Sequence, residues 1–294
     1  MYVITGATGN TGRRIAEALL FQGKKVRVIG RDGARLQPLA DKRAEPFVGS
    51  LDDGAAMARA FTGATAVYAM IPPNLSAKNL RAYQNAVGEA LAKAITAARV
   101  SYVVHLSSVG AHLPEKAGPI TGLHDQEQRL NGLKGVQVVH LRPGFFMENF
   151  YWSIDLIKKM GINGGPLRAD LPIGMIATQD IAAAAAQRLA ELDFSGTSVR
   201  ELLGQRDVTM AEATQALGRA IGKPELKYVQ FPYDEAEKAM VGMGLSASVA
   251  SGFIEMYRAF NEGTIRPTEA RSNKNTTPTS IEEFATQFAV AYKG

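Results

Sequence analysis

Short apolar runs alternate with longer stretches of helical periodicity through the first half of the chain. The apolar runs predict six strands, at residues 2–4, 25–30, 44–48, 64–70, 102–106 and 136–141. Apolar positions at helical spacing follow the first strand and recur at residues 53–61, 77–98 and 123–133. Strands that alternate with helices in this way favour an α/β fold, a doubly wound parallel sheet with helices on both faces.

The pattern changes after residue 144. A helix is predicted from about 145 to 160, then a glycine- and proline-rich loop at 161–172, a seventh strand at 173–177 and a helix at 180–192 that returns to the sheet. Further on come a short strand from 198 and helices at 209–221, 234–243, 247–261 and from 281. We therefore expect residues 1–144 and 173–193 to form the sheet domain. Residues 145–172 and 194–294 should form a smaller, mainly helical lobe over the strand ends.

The segment GATGNTG at residues 6–12 lies between the first strand and the first helix. A glycine-rich turn that leads into a helix presents free backbone N–H groups and the positive end of the helix dipole, which together bind anions. An ordinary tight loop is the alternative interpretation. The strand at 25–30 completes a βαβ unit of the length typical of dinucleotide-binding Rossmann folds, which favours the phosphate-binding interpretation.

Arg31 follows the second strand, where an acidic side chain would select NAD and an arginine favours the 2′-phosphate of NADP. A solvated surface arginine is the alternative. The first 50 residues hold nine Lys/Arg against four Asp/Glu, a surplus of five that equals the net charge of +5. A basic excess at this end indicates a phosphorylated small molecule more than a nucleic acid, which needs a basic stripe along one face. We expect NADPH to be preferred over NADH, and no direct nucleic-acid contact.

Composition narrows the possible chemistry. The chain has no cysteine, which excludes disulfides and thiolate chemistry, and its four histidines lack the spacing of a helical zinc site, so no metal is implied. A strand that begins at residue 2 leaves no room for a signal peptide, and no apolar run approaches the length of a membrane span. We expect a cytoplasmic protein without a membrane contact.

Ligands of doubly wound sheets bind at the carboxyl ends of the strands. The residues that follow the predicted strands are therefore the candidate cofactor contacts: Gly6, Thr8, Gly9, Asn10, Thr11, Gly12, Arg31, Leu51, Met70, Ile71, Pro72, Ser107 and Gly144.

The ordered set of motifs resembles the NmrA-like branch of the atypical short-chain dehydrogenases/reductases. The set comprises GATGNTG, Arg31, the segment LRPGFFMEN at 141–149 and the segment TQDIA at 178–182. That family includes NADPH-dependent quinone, azo-dye and triphenylmethane-dye reductases, and also redox-sensing regulators that bind NADP without turnover. The resemblance implies that the cofactor lies across residues 6–12 and Arg31. It places the nicotinamide near Pro72, Ser107 and Gly144, which adds Phe145 and Phe146 to the candidate cofactor contacts.

The chain also departs from the wider superfamily, which pairs a catalytic tyrosine with a lysine four residues later. His124 stands in the tyrosine place and Gln128 in the lysine place, which argues against alcohol dehydrogenation by the usual mechanism. His124 is a candidate proton donor or, alternatively, an idle helix-surface residue. Ser50 replaces an aspartate often found after the third strand, which weakens the expected adenine contact.

Two classes of function follow. One is an NADPH-dependent reductase of a flat, electron-poor small-molecule acceptor such as a quinone or azo compound. Its apolar slot would be lined by the aromatic cluster Phe145, Phe146, Phe150, Tyr151 and Trp152, although core packing also explains these residues. The other is a non-catalytic NADP-binding sensor that acts through a protein partner.

Overall fold

Seven parallel strands form the central sheet of the protein, whose computed structural model describes residues 1–294. The strands along the chain are β1 (Tyr2–Ile4), β2 (Val26–Gly30), β3 (Glu45–Val48), β4 (Ala66–Ala69), β5 (Tyr102–Leu106), β6 (Gln137–Pro143), β7 (Phe145–Phe146), β8 (Ile162–Gly165), β9 (Ile173–Ile176), β10 (Thr197–Leu202), β11 (Asp207–Val208) and β12 (Lys227–Gln230). The sheet has the order β10-β6-β5-β4-β1-β2-β3, so the chain direction across it reverses between β1 and β4. A doubly wound sheet binds ligands at such a reversal.

Eleven α-helices accompany the strands. They are α1 (Asn10–Phe21), α2 (Gly33–Ala40), α3 (Gly54–Phe61), α4 (Leu80–Ala97), α5 (Pro119–Asn131), α6 (Ile154–Met160), α7 (Thr178–Glu191), α8 (Met210–Ala220), α9 (Tyr233–Gly242), α10 (Ala247–Asn261) and α11 (Ile281–Lys293), with a 3-10 helix over Met147–Ser153. Helices α1, α2 and α7 pack one apolar cluster against the sheet, and α3, α4 and α5 pack another on the opposite face. No helix combines the length and the apolar character needed to cross a bilayer.

Side chains at the helix starts explain where several helices begin. The carboxylates of Asp32 and Asp53 accept N–H bonds in the first turns of α2 and α3, and the Asn79 amide does the same for α4. Thr209 and Ser280 complete capping boxes at α8 and α11. Each cap satisfies N–H groups that would otherwise lack a partner.

A third apolar cluster lies in the smaller lobe, beneath the 3-10 helix, α8 and α11. Buried carboxylates tie this lobe to the sheet domain. Asp180 at the start of α7 accepts the N–H and the hydroxyl of Thr279 at 2.9 and 2.7 Å, and Glu201 of β10 accepts the same two groups of Thr268. These bonds hold residues 264–280, which connect α10 to α11 without a helix or strand of their own.

The doubly wound parallel sheet and the mainly helical C-terminal lobe are as predicted, but the seventh strand of the sheet is not. Strand β10, which the sequence expectation grouped with the lobe, pairs in parallel with β6 and completes the sheet. Strand β9 instead joins β7 and β11 in a separate small sheet. Strand β9 (IGMI) is apolar whereas β10 (TSVREL) is largely polar, so apolar character favoured the wrong segment, and only the pairing partners show which one joins the main sheet.

Two further elements differ from the expectation. The segment from Phe145 begins as strand β7, paired with β9, and becomes α-helical only at Ile154 after a 3-10 turn. The segment at 161–172 contains strand β8, which pairs in parallel with β12. Its Gly164 has no room for a side chain, because a Cβ there would overlap the ring of Phe231. That glycine therefore marks close packing rather than a loop.

Candidate functional site

The glycine-rich turn joins β1 to α1, and each of its three glycines meets a different constraint. Gly6 has a φ of +60°, which side chains disfavour. A Cβ on Gly12 would overlap the carbonyl oxygen of Gly6, so α1 can approach the turn closely only without one. A Cβ on Gly9 would meet only that same oxygen, at 3.3 Å. The fold therefore requires Gly6 and Gly12, whereas at Gly9 the missing side chain mainly leaves room for a ligand.

The start of α1 is open in a way that α2, α3 and α4 are not. No side chain caps Gly9, and the first turn, which includes Asn10 and Thr11, contains no acidic residue. The unpaired N–H groups and the positive end of the helix dipole therefore face the space above the turn, which is the geometry of a phosphate site. The Thr11 hydroxyl accepts a hydrogen bond from the buried Tyr68 hydroxyl at 3.0 Å, which leaves its own hydrogen free to donate.

Two arginines stand beside the turn. Arg31 follows β2 and is exposed, and Nη2 of the exposed Arg35 in α2 donates to the Thr8 carbonyl at 3.2 Å. The acidic residue between them, Asp32, accepts the Ala34 N–H at 2.9 Å and so caps α2. That carboxylate is engaged at the place where an NAD-binding site presents one to the ribose. The arrangement favours a second anion next to the turn.

The residues after β3 and β4 form the middle of the edge. Leu51 is buried in the apolar cluster that α3 and α4 share, and Ile71 packs against that cluster. The Met70 N–H donates to the Thr5 hydroxyl at 3.1 Å, and the Tyr83 hydroxyl donates to the Pro72 carbonyl at 3.2 Å.

Tyr83 connects this middle region with the arginine side. Burial raises the pKa of Tyr83, the Asp52 carboxylate adds to the rise, and Arg31 opposes it. These electrostatic effects indicate that both charged groups lie near the phenol.

The remaining predicted contacts follow β5 and β6. Ser107 is almost fully buried, with its N–H bonded to the Leu141 carbonyl at 2.8 Å. The N–H of Gly144 donates to the Leu202 carbonyl at 2.9 Å, and a Cβ on Gly144 would overlap the carbonyl of Gly174. The candidate contacts predicted from sequence thus lie along the carboxyl edge of the seven-stranded sheet, except Phe145 and Phe146, which continue from β6 into β7 of the small sheet.

The aromatic cluster divides into several environments. Phe145 and Phe146 are half-buried in β7. Phe150 is buried beside Phe145, with ring centres 5.7 Å apart, and Tyr151 packs on Phe284 of α11 at 5.5 Å. Trp152 is 65% exposed. Phe150 and Tyr151 therefore belong to the lobe core, which leaves Phe145 and Phe146 as candidate walls of a ligand slot.

A buried polar cluster lies under the β5 and β6 end of this edge. The Ser107 hydroxyl is 2.5 Å from Oε1 of Glu127, and Arg142 donates to both oxygens of that carboxylate, at 2.9 and 2.5 Å. Glu127 is 1% exposed and Arg142 8%. A two-point salt bridge satisfies a carboxylate that would otherwise be costly to bury.

A model of the NmrA-like family matches residues 2–285, nearly the entire chain. The chain belongs to the NmrA-like family. An NAD(P)H azoreductase of Xenophilus azovorans is 27% identical over 259 residues, which cover 87% of this chain and 86% of the relative. A (4-alkanoyl-5-oxo-2,5-dihydrofuran-3-yl)methyl phosphate reductase of Streptomyces griseus is 28% identical over 255 residues, which cover 87% and 85%.

The structure of an NADPH-dependent quinone oxidoreductase of Escherichia coli, complexed with NADPH, superposes with a TM-score of 0.81. Its sequence is 23% identical, and the match covers 98% of this chain and 99% of that protein. At this level of identity the likeness shows the shared fold.

Helix α5 shows what this NmrA-like chain has in place of the superfamily's tyrosine and lysine. Nδ1 of His124 lies 2.9 Å from the Ala111 carbonyl oxygen. A carbonyl only accepts, so Nδ1 carries a hydrogen and donates it to Ala111. Gln128 is exposed, whereas its neighbour Glu127 points inward to Ser107 and Arg142.

Sequence reasoning missed Arg35 and Glu127 as functional candidates, and it placed Arg142 at a strand end without giving it a role. Arg142 had a signal, since it directly follows the apolar core of a predicted strand. Glu127 had a weaker one, as the acidic residue three positions after His124. Arg35 gave none, because helix α2 itself was not predicted.

His105 of β5 and His140 of β6 lie two residues before Ser107 and Arg142 and form a buried pair, with their Nδ1 atoms 3.0 Å apart. Nε2 of His140 lies 2.8 Å from Oδ1 of Asn131 and donates to it, so its Nδ1 accepts from His105. Burial lowers the pKa of His140 to about 4, and burial together with His140 lowers that of His105 well below its ordinary value.

We expect this pair to make the free energy of unfolding fall as the pH drops from about 6.5, the ordinary histidine pKa, to about 4, the pKa of buried His140. Over that range the unfolded chain binds protons at both histidines while the folded chain does not. Each histidine contributes a slope of up to about 1.4 kcal/mol per pH unit. Urea unfolding across this range should show a flatter profile for the double variant His105→Leu, His140→Leu. Carboxylates titrate alike in both proteins, so parallel profiles would contradict the assignment.

Proposed function

We propose that the protein is an NADPH-dependent oxidoreductase that transfers hydride to a flat, electron-poor acceptor such as a quinone or an azo compound. One observation carries the proposal: the uncapped start of α1 at the glycine-rich turn, flanked by Arg31 and Arg35, lies where the strand order reverses. A phosphate-rich dinucleotide with an additional phosphate on its ribose fits that arrangement.

In this proposal the N–H groups of residues 10–12 bind the pyrophosphate, because the Gly9 N–H already donates to the Gly6 carbonyl at 2.9 Å. The two arginines bind the 2′-phosphate. The residues after β4, β5 and β6 orient the nicotinamide, including Pro72, Ser107 and Gly144. The bound cofactor supplies the hydride, while the chain supplies orientation and an apolar surface at Phe145 and Phe146. No side chain has to act as nucleophile.

The acceptor class is supported by the relatives that the chain resembles. One is named for the reduction of azo compounds and another for the reduction of an alkanoyl-substituted dihydrofuranone. Both acceptors contain a conjugated system that can accept hydride directly. The missing tyrosine and lysine fit such chemistry, since a reduced anion takes its proton from water afterwards.

Turnover is tested by following NADPH oxidation against a panel of quinones, azo dyes and conjugated lactones. Gly9→Val is the matched control, because its added side chain fills the space of the pyrophosphate at the one glycine of residues 6–12 where a Cβ meets no atom closer than 3.3 Å. We expect oxidation with the unmutated protein and loss of NADPH binding in the variant, with an unchanged circular dichroism spectrum. Tight NADPH binding with no turnover of any acceptor would reject the reductase in favour of an NADP sensor.

Cofactor preference is tested with Arg31→Ala. The unmutated protein should bind NADPH more tightly than NADH by calorimetry, and the variant should lose about ten- to a hundred-fold of affinity for NADPH alone, the value of a charge-assisted contact. Arg35→Ala should act in the same direction but more weakly, since Arg35 also binds the Thr8 carbonyl. Equal affinities for NADPH and NADH before mutation would contradict the assignment.

His124 is tested with two variants that separate its possible roles. His124→Asn keeps an N–H near the Ala111 carbonyl but removes Nε2, and His124→Phe removes both groups. We expect kcat to fall less than about tenfold in each, below the range for lost general acid catalysis, because a reduced acceptor anion takes its proton from water and Gln128 supplies no positive charge beside the ring. A fall of a hundredfold or more in both would identify a catalytic acid, and one confined to His124→Phe would identify a structural bond.

A further inference from the structure

The side chain of Ser107 has only one direction of hydrogen bonding available to a ligand. Its hydroxyl is 2.5 Å from Oε1 of Glu127, which Arg142 holds from the opposite side through both oxygens. An ionised carboxylate only accepts, so the single hydroxyl hydrogen of Ser107 points to Glu127. All three residues are at least nine-tenths buried, and water does not compete for these bonds. Toward any ligand Ser107 therefore presents oxygen lone pairs alone.

The position of Ser107 in the sheet decides which part of a dinucleotide it faces. The turn for the pyrophosphate lies above β1, and the arginine pair lies on the β2 and β3 side. The other half of an extended dinucleotide then crosses the ends of β4, β5 and β6, and Ser107 directly follows β5. That half carries the nicotinamide, whose carboxamide offers an amino group that donates and a carbonyl that accepts.

We infer that Ser107 accepts a hydrogen bond from the carboxamide amino group of the nicotinamide, and that Glu127 and Arg142 are positioning residues that impose this direction. The inference rests on the proposed function. The bond selects one of the two orientations of the carboxamide and so restrains the ring it is attached to. It also means that Ser107 holds no hydrogen for the acceptor.

The test compares coenzyme analogues that differ at the carboxamide. In 3-acetylpyridine adenine dinucleotide phosphate a methyl replaces the amino group, whereas thionicotinamide adenine dinucleotide phosphate keeps the amino group and changes the carbonyl oxygen to sulfur. Calorimetry on the unmutated protein should show the acetylpyridine analogue binding about 3- to 10-fold more weakly than NADP⁺, the value of one neutral hydrogen bond. The thionicotinamide analogue should stay within about twofold on the same scale.

Two variants test whether Ser107 and Glu127 cause the difference in affinity between NADP⁺ and the acetylpyridine analogue. Ser107→Ala should bring the affinity for NADP⁺ down to that for the acetylpyridine analogue. Glu127→Gln should remove or reverse the preference, because the new amide can donate to Ser107 and release its hydroxyl hydrogen toward the ligand. A general loosening of the site would weaken all three ligands in parallel and leave their ratios unchanged. Glu127→Gln leaves the buried Arg142 without a charged partner and can therefore prevent folding. In that case Ser107→Ala alone tests the inference.

Ser108→Ala is the matched control, because it deletes the same atom one residue further on, where the hydroxyl donates to the Val109 carbonyl. Its analogue ratio should equal that of the unmutated protein. Equal binding of NADP⁺ and the acetylpyridine analogue before mutation would overturn the inference, as would a ratio that survives Ser107→Ala or is lost in Ser108→Ala. No binding of NADP⁺ at all would instead reject the proposed function, and the inference with it.

Discussion

The close crossing of helix α1 over the turn after β1 is the constraint on which the rest of the site depends. There is no space for a side chain at Gly12, where the helix backbone rests against Gly6. This contact brings the uncapped helix end to the sheet edge and lets α1 pack beside α7 on the same apolar cluster. The bond from Tyr68 to Thr11 then joins the helix to β4, across the point where the strand order reverses. Phosphate recognition and sheet assembly thus share one short stretch of backbone.

Much of the first half of this arrangement could be predicted from local sequence. Runs such as residues 102–106 are apolar on both faces, as in a parallel strand buried between helices, and the glycines of residues 6–12 have a requirement that arises within one βαβ unit. The rule that ligands gather at the carboxyl ends of strands then placed the candidate contacts along one edge. None of these inferences needed knowledge of long-range pairing.

The features that were missed are those set by long-range contacts. Strand β9 has the more apolar sequence, yet β10 is the strand that pairs with β6 and extends the sheet. Glu127 is the neighbour of the exposed Gln128, and a shift of one position along a helix decides which side chain reaches Arg142. Helix α2, which carries Arg35, was not predicted because it contains Pro38, and proline is disfavoured inside helices. In each case the local pattern allows two structures and a distant residue chooses between them.

Strand β10 is synthesised well after β6, the strand with which it pairs, and this delay affects folding during synthesis. Residues 144–196 separate β6 from the strand that covers its outer edge, and a ribosome takes roughly 3–10 s to add a segment of that length. Until then the backbone N–H and C=O groups on the outer edge of β6 have no partner strand and can pair with a strand of another nascent chain. Residues 145–160, synthesised in that interval, are rich in aromatic side chains that also wait for partners in α8 and α11. The edge of β6 is therefore covered once residue 202 has been made, whereas the aromatic side chains stay without their packing partners until α11 follows from residue 281.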